Sequence, residues 1–210
     1  MKYYDCESPL GGKKIVVRPR EGAMQDDAYT LARFAGDLRG VTSGGGSERE
    51  LISRLRPLVQ RFAGSGTWRE PRQYEVDPEQ GFGVHQLHEE PDHSLAVFAV
   101  SWLPGRGTPP HDHGAWAIVV GVDGPETNVF WERTDDRSRP GHAQLRKVGE
   151  KVFQPGDVIA MPTGTIHSVI NESERVTLSL HVYGKHINFT QRSRFDPDAQ
   201  TEEPFILRID

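Results

Sequence analysis

Cysteine is nearly absent from this sequence of 210 residues, which contains only Cys6. A single cysteine cannot form an internal disulfide, and it cannot supply the several thiolates of a structural zinc site. Any metal chemistry would therefore have to use the nine histidines of the chain.

Long hydrophobic runs and an excess of positive charge are absent as well. The longest apolar run, residues 115–122, is far too short to cross a bilayer, and the chain start lacks the apolar core of a signal peptide. Lys and Arg number 25 against 30 Asp and Glu, and this net charge of −5 gives no electrostatic basis for binding nucleic acid or anionic lipid. We therefore expect a cytoplasmic protein that binds neither nucleic acids nor membranes.

Turn-forming residues are plentiful, with 22 glycines and 15 prolines. Such a composition favours a fold built from many short strands. After residue 81 the sequence contains short β-rich runs, most of them bounded by turn residues, at 95–103, 115–122, 127–133, 145–153, 157–161, 168–170 and 176–183. Because each half-buried strand needs a second sheet to cover it, this pattern predicts a sandwich or a barrel.

Two helices are predicted before these strands. Apolar residues recur at steps of three and four up to Leu38, and Gly40 follows as a stop signal. Ser47 and Glu50 then form a capping-box pattern, which predicts the start of a second amphipathic helix.

His111 and His113 are spaced so that one metal ion could bind both. Side chains two residues apart share a face of an extended strand, but a solvated strand with alternating polar residues has the same spacing. The surroundings of the pair resemble the two cupin motifs, since Gly105 precedes it and Gly121 closes the first motif. The second motif is matched at Gly156, Pro162, Gly164, His167 and Asn171.

The resemblance to cupins covers residues 81–183 and implies a mainly β fold, the cupin double-stranded β-helix or jelly-roll barrel. It implies that three histidines converge on a metal: His111, His113 and His167. We accordingly divide the chain into an N-terminal helical segment, residues 1–80, that packs on the barrel, and a cupin barrel with a catalytic metal site, residues 81–210.

The chain departs from the cupin pattern at the fourth metal ligand. A typical cupin has a glutamate four or five residues after the second histidine, whereas Ala117 and Ile118 occupy that stretch here. Asp112 cannot readily replace it, because on a strand it points away from its neighbours. Three neutral imidazoles leave the ion several open positions, which favours catalysis over storage. Imidazole suits iron, zinc, copper and nickel, so ligand chemistry alone leaves the metal open.

A second line of polar residues lies in the segment 176–183, which alternates strictly between apolar and polar residues. A polar face in water is the usual case for an antiparallel strand. Ser179, His181 and Tyr183 also resemble the Ser-His-Tyr relay of the thiol dioxygenases. A hydroxyl, an imidazole and a phenol in line can pass hydrogen bonds along and aim the phenol at a metal-bound ligand. The resemblance implies that these three residues are catalytic, with Tyr183 at the tip.

The likeness to thiol dioxygenases is closest to their bacterial branch. Pro110 precedes the histidine pair, Trp116 follows it, and Arg192 stands nine residues after Tyr183. In bacterial relatives that prefer 3-mercaptopropionate, an arginine at this place holds the substrate carboxylate, and the fork of a guanidinium suits that ligand. The resemblance therefore implies substrate binding by Arg192. The residues around Arg192 also resemble an ordinary charged surface segment. Within that segment, Arg194 is the nearest alternative for binding the carboxylate.

Two features of the animal cysteine dioxygenases are not expected here. Those enzymes bind the carboxylate through an arginine on an earlier strand, but the corresponding residues 83–88 contain none. They also carry a cysteine joined to the active-site tyrosine, and Cys6 is the only cysteine of this chain. The histidines in and after that stretch, His85, His88 and His93, are expected to be solvated.

The resemblance thus implies an Fe(II)-dependent thiol dioxygenase. Its partners would be O₂ and a small thiol carboxylic acid, with 3-mercaptopropionate favoured over cysteine. The alternative is a non-catalytic metal-binding cupin that binds or senses a small organic acid, which would explain the barrel and the histidines but not the aligned Ser-His-Tyr strand. The oligomeric state and the identity of the acid stay open at this point.

Overall fold

The computed structural model describes residues 28–210, so Cys6 and the chain start lie outside the described residues. The described chain begins with two helices, α1 (Leu31–Thr42) and α2 (Glu48–Ser65). The capping box predicted for the second helix is confirmed, because the Ser47 side chain accepts from the Glu50 backbone and the Glu50 side chain from the Ser47 backbone.

The predicted end of the first helix is wrong. α1 continues through Gly40 to Thr42 and is capped by Ser43. A glycine inside a helix costs about 1 kcal/mol relative to alanine, but Val41 packs against the apolar cluster that the two helices share with the barrel. Burial of apolar surface by Val41 offsets that cost.

Strands make up most of the remaining described chain. They are β1 (Phe82–Glu89), β2 (Ala96–Trp102), β3 (Gly107–His111), β4 (Ala117–Asp123), β5 (Glu126–Arg133), β6 (Leu145–Phe153), β7 (Val158–Met161), β8 (Ile166–Ile170), β9 (Thr177–Tyr183), β10 (Ser193–Asp196) and β11 (Thr201–Pro204). Short 3-10 turns lie at Pro71–Tyr74 and Ile187–Phe189. Each of the seven predicted runs overlaps one strand, whereas β1, β3, β10 and β11 lie outside those runs.

The strands form two antiparallel sheets. The order is β1-β2-β9-β4-β7 in the first sheet and β11-β10-β3-β8-β5-β6 in the second. The mainly β, jelly-roll type of barrel that the cupin resemblance implies is confirmed.

Two apolar layers hold the sheets and helices together. The outer layer joins α1 and α2 to one face of the first sheet through side chains such as Leu38, Phe62 and Leu180. The inner layer lies between the two sheets and includes Phe98 and Val169. None of the described helices has both the length and the apolar composition that crossing a membrane requires.

The alternation of β9 explains how one strand serves both layers. Leu178, Leu180 and Val182 join the outer layer, while Tyr183 belongs to the inner one. The polar residues between the leucines and the valine therefore point into the barrel. The whole of β9 is buried, so the alternative of a solvated polar face is wrong for this strand.

Candidate metal centre

The three histidines of the cupin motifs meet inside the barrel. His111 ends β3 and lies opposite His167 of β8 in the strand register. His113 follows two residues after β3 ends, so the pair does not share one strand as the spacing predicts. One ligand nitrogen from each histidine lies within 4.8 Å of the others, and all three side chains are buried.

A tight turn brings His113 back toward the other two histidines. The next residue, Gly114, has φ +62°, and an added Cβ would lie 2.8 Å from the side chain of Thr190. A residue other than glycine would therefore be strained by the backbone angle and crowded by Thr190.

Hydrogen bonds fix which nitrogen of two histidines faces the centre. The Nδ1–H of His111 donates to the carbonyl oxygen of Pro109 at 2.9 Å. The Nδ1–H of His167 donates to the side-chain oxygen of Asn128 at 2.9 Å. Because both partners act as acceptors, the two Nε2 atoms keep their lone pairs for a ligand.

The electrostatics keep all three imidazoles neutral. Burial, followed by the effect of neighbouring His167, holds the pKa of His111 and of His113 well below its usual range. Burial and then the charge of Arg192 lower the pKa of His167 to about 3. Neutral imidazole is the form that binds metal ions.

The spacing of the nitrogens fits a metal ion. The Nε2 atoms of His113 and His167 are 3.3 Å apart, and two nitrogens bound at right angles to one ion at about 2.1 Å would be about 3 Å apart. No carboxylate of the described residues belongs to the cluster. Ala117 packs in the inner layer and Ile118 in the outer one, while the Oδ1 atom of Asp112 accepts from the backbone N–H of Ser193 at 2.8 Å.

The predicted polar line on β9 forms a hydrogen-bonded series that ends at this cluster. Ser179 Oγ lies 2.9 Å from His181 Nε2, and His181 Nδ1 lies 2.8 Å from the hydroxyl oxygen of Tyr183. The ring centroids of Tyr183 and His113 are 5.1 Å apart. Trp102 extends the series at the other end, since its indole N–H donates to Ser179 Oγ at 3.2 Å.

Burial holds the groups of this series in their neutral forms. It lowers the pKa of His181 to about 3, with smaller contributions from His167 and Arg192. It raises the pKa of Tyr183 to about 12, although the charge of Arg192 opposes that change. At neutral pH the tyrosine is a phenol that can donate one hydrogen bond.

Arg192 reaches the same cavity from the segment just before β10. Its side chain stacks over Phe205 at 4.5 Å, and its Nε–H donates to the carbonyl oxygen of Asp112 at 3.1 Å. The residue is 4% exposed, yet its Nη1 atom has no hydrogen-bond partner among the described residues. Burial lowers the pKa of the guanidinium to about 10, so it remains charged at neutral pH.

Arg194, the competing arginine, lies on the outside of the barrel. It is exposed and pairs with Glu203 at 2.7 Å. The structure therefore brings Arg192, and not Arg194, to the histidine cluster. The cavity that they share is small, with an interior volume of about 20 Å³, and its apolar wall includes Phe82, Val84, Val100, Val169 and Leu207.

No family model matches the chain, but the chain is similar to several solved structures. Oxalate oxidase in complex with the substrate analogue glycolate is 20% identical over 51% of this chain and 52% of that one, with a TM-score of 0.40. The alignment thus spans about half the length of that protein. A Cupin_2 domain of an XRE family transcriptional regulator from Enterobacter cloacae is 17% identical over 50% of this chain and 96% of that one, with a TM-score of 0.36. Oxalate decarboxylase from Bacillus subtilis is 20% identical over 44% of this chain and 22% of that one, with a TM-score of 0.34.

Two polar residues of this site, Glu126 and Asn128, do not follow from the sequence analysis. Both lie on β5 and are buried, and Asn128 contacts His167 directly. The sequence does contain a signal for them, because Glu126 and Asn128 are polar, lie two residues apart and would share one face of a strand. It could be interpreted only once the strand was known to line the barrel interior.

The expectation that the histidines near β1 are solvated is wrong for His85. It is buried on β1, and its Nε2 lies 2.9 Å from the backbone oxygen of Glu75. His88 and His93 are half-buried and pair with nearby glutamates. None of the three belongs to the metal cluster.

Proposed function

We propose that the protein is an Fe(II)-dependent thiol dioxygenase, which converts a small thiol carboxylic acid and O₂ into the corresponding sulfinic acid. In this reaction both oxygen atoms of O₂ bind to the substrate sulfur, and the thiol proton is retained by the sulfinic acid. No other oxidant or reductant is required. The favoured substrate is 3-mercaptopropionate, with cysteine second.

The observation that carries this proposal is the unpaired guanidinium beside three imidazoles. Arg192 is charged and buried, and no carboxylate among the described residues forms a salt bridge with it, so its Nη1 is open to an anionic ligand. An uncompensated buried charge is costly, and a planar carboxylate is its natural partner. A ligand with a carboxylate at Arg192 can place its other end at the histidine cluster, because both line one cavity.

The histidine cluster would hold the iron through His111, His113 and His167. A non-haem Fe(II) ion with three imidazole ligands supplies open coordination positions for a thiolate and for O₂. The chain itself contributes binding and orientation. Arg192 holds the carboxylate, Tyr183 offers its hydroxyl to the reacting end, and the apolar wall excludes water.

The lining of the cavity supports an acid without an amino group. None of the described residues lining it is an aspartate or a glutamate, so an ammonium group would have no anionic partner there. It would also lie in the field of the Arg192 charge. Both effects disfavour cysteine relative to 3-mercaptopropionate.

Oxygen uptake tests the proposal. Iron-loaded protein is given 3-mercaptopropionate, cysteine or cysteamine, and both O₂ consumption and sulfinate are measured. We expect turnover to be fastest with 3-mercaptopropionate and slowest with cysteamine, which lacks a carboxylate. Saturable binding of the acids without O₂ consumption would instead support the non-catalytic cupin.

A further inference from the structure

Asp112 stands between two of the clustered histidines, yet its carboxylate is not part of the cluster. Three of its polar groups contact residues 192 and 193 instead. The backbone N–H of Asp112 donates to the carbonyl oxygen of Ser193 at 3.1 Å, and its Oδ1 atom accepts from the backbone N–H of Ser193 at 2.8 Å. Its carbonyl oxygen accepts from the Nε–H of Arg192 at 3.1 Å. One residue thus joins the turn that carries two histidines to the segment that carries the buried arginine.

Ser193 is also anchored to the second sheet. Its hydroxyl donates to Glu202 Oε1 at 2.9 Å, and the other oxygen of Glu202 accepts from Arg133 at 2.7 Å. The side chain of Arg133 is buried and pairs with Asp135 at 2.8 Å. These contacts fix Ser193 to the sheet but not to the histidine turn. The link to that turn is made by Asp112.

The guanidinium of Arg192 is oriented by the same junction. Its Nε–H is used by Asp112, and one face lies over the ring of Phe205 at 4.5 Å. The Phe205 ring in turn lies 5.4 Å from the ring of His111, measured between centroids. Because the guanidinium is planar, these contacts leave its Nη end for the cavity, where Nη1 has no hydrogen-bond partner among the described residues.

We infer that Asp112 is a positioning residue that sets the separation between the Arg192 guanidinium and the histidine cluster, and thereby the length of the thiol acid that can span them. This inference rests on the proposed function, since it takes Arg192 as the partner of the carboxylate and the histidines as the metal ligands. A fixed separation favours the acid that matches it, because an acid of another length reaches both ends only with distortion.

Two variants separate the acceptor oxygen of Asp112 from its charge. Asp112→Ala removes Oδ1 and leaves the N–H of Ser193 without that partner, while both backbone contacts remain possible. Asp112→Asn keeps an acceptor oxygen but removes the charge. Asp196→Ala is the matched control, because the Oδ1 of Asp196 also accepts from backbone N–H groups, those of Asp198 and Ala199 in the turn after β10.

Hydrogen exchange at the Nε–H of Arg192 measures the junction without any thiol. Nitrogen-15 spectra of Zn(II)-loaded protein resolve arginine Nε–H groups, and the Arg192 signal is assigned by its loss in Arg192→Lys. We expect slow exchange in the parent protein, in Asp112→Asn and in Asp196→Ala. Exchange in Asp112→Ala should be about tenfold faster, as the loss of one hydrogen bond predicts. The same rate in Asp112→Ala and the parent protein would contradict the positioning role.

Anaerobic binding of thiols to Co(II)-loaded protein tests the separation itself. A thiolate bound to Co(II) produces a charge-transfer absorption, so affinity is measured without turnover. We expect the parent protein to bind 3-mercaptopropionate more tightly than mercaptoacetate or 4-mercaptobutyrate. Asp112→Ala should weaken binding of 3-mercaptopropionate by about tenfold and reduce the preference among the three acids. The affinity for 2-mercaptoethanol, which has no carboxylate, should not change.

The two Asp112 variants and the neutral thiol make the binding test decisive. Asp112→Asn and Asp196→Ala should keep the affinity and the length preference of the parent protein. Equal weakening of 3-mercaptopropionate and 2-mercaptoethanol in Asp112→Ala would place the defect at the metal centre and overturn the inference. An unchanged length preference in Asp112→Ala, or Asp112→Asn behaving like Asp112→Ala, would also overturn it. If the acids bind selectively but no thiol is oxidised under O₂, the proposed reaction fails, and the binding results still decide the role of Asp112.

Discussion

At the scale of single residues, the candidate metal centre consists of three imidazoles, and no carboxylate of residues 28–210 belongs to it. Each of the variants His111→Ala, His113→Ala and His167→Ala should lose iron binding, because two remaining imidazoles do not hold the ion. Metal analysis after iron loading and desalting measures this. Asp112→Ala is the matched control and should retain iron, since its carboxylate faces Ser193. Full iron retention in any histidine variant would remove that residue from the ligand set.

The partner of His167 gives a subtler prediction. Asn128 holds the Nδ1–H of His167, so Asn128→Ala should weaken metal binding by about 10- to 100-fold without destroying the site. Competition with a chelator measures the affinity. Thr127→Ala is the control, because the adjacent Thr127 hydroxyl contacts Glu172 and not the histidines. Equal affinities in the two variants would show that Asn128 does not orient His167.

The proposed recognition of a substrate carboxylate rests on Arg192. Breaking a buried charged pair costs about 2 to 5 kcal/mol, so Arg192→Ala should lower kcat/KM for 3-mercaptopropionate by roughly 30-fold or more. Turnover of cysteamine should barely change. Arg194→Ala is the control and should behave like the parent protein, because Arg194 is exposed and pairs with Glu203. Equal losses for both thiols in Arg192→Ala would mean that this residue supports the fold or the metal site.

At the scale of elements, the sequence predicts those strands that are rich in β-forming residues and bounded by turn residues. β6 matches its predicted run at both ends, from Leu145 to Phe153. The unpredicted strands β10 and β11 are only four residues long and rich in charged side chains. Their pairing depends on a neighbouring strand, which local sequence does not reveal.

The strand β1 shows the same dependence on distant residues. The charged residues at its end resemble a solvated segment, but the backbone groups of Val84 and Gln86 form hydrogen bonds with those of Asp210. The opposite edge of β1 pairs with β2. The buried side chain of His85 contacts the backbone oxygen of Glu75, and no local pattern predicts that contact.

Part of the candidate site is likewise predicted by the sequence, and part depends on the three-dimensional packing. Fixed motif positions predict the three histidines, and strict alternation on β9 predicts that Ser179, His181 and Tyr183 share a face. The sequence leaves Arg192 and Arg194 in competition, because it does not show which side of a charged segment faces the barrel. The three-dimensional packing separates them.

At the scale of the whole molecule, the segment from Phe205 to Asp210 covers one side of the cavity. Asn188 holds it through two hydrogen bonds to the backbone of Leu207, and the Leu207 side chain lines the cavity. An interior of about 20 Å³ has room for about one water molecule. A thiol acid is larger than a water molecule, so the side chains that line the cavity must shift to admit it.

Leu207→Ala should relax the limit on substrate length. We expect the ratio of kcat/KM for 4-mercaptobutyrate to that for 3-mercaptopropionate to rise about fourfold, since burying one more methylene contributes about 0.8 kcal/mol. The control is Ile206→Ala, because Ile206 is 75% exposed and adjacent in the chain. The same ratio in both variants would show that Leu207 does not limit length.

The central claim, that this barrel adds both atoms of O₂ to a thiol sulfur, is tested most directly by isotope labelling. Iron-loaded protein is incubated with 3-mercaptopropionate under ¹⁸O₂, and the product is analysed by mass spectrometry alongside O₂ uptake. Our account predicts one sulfinate for each O₂ consumed, with both sulfinate oxygens labelled. A product with a single labelled oxygen, or disulfide formed with peroxide, would contradict it.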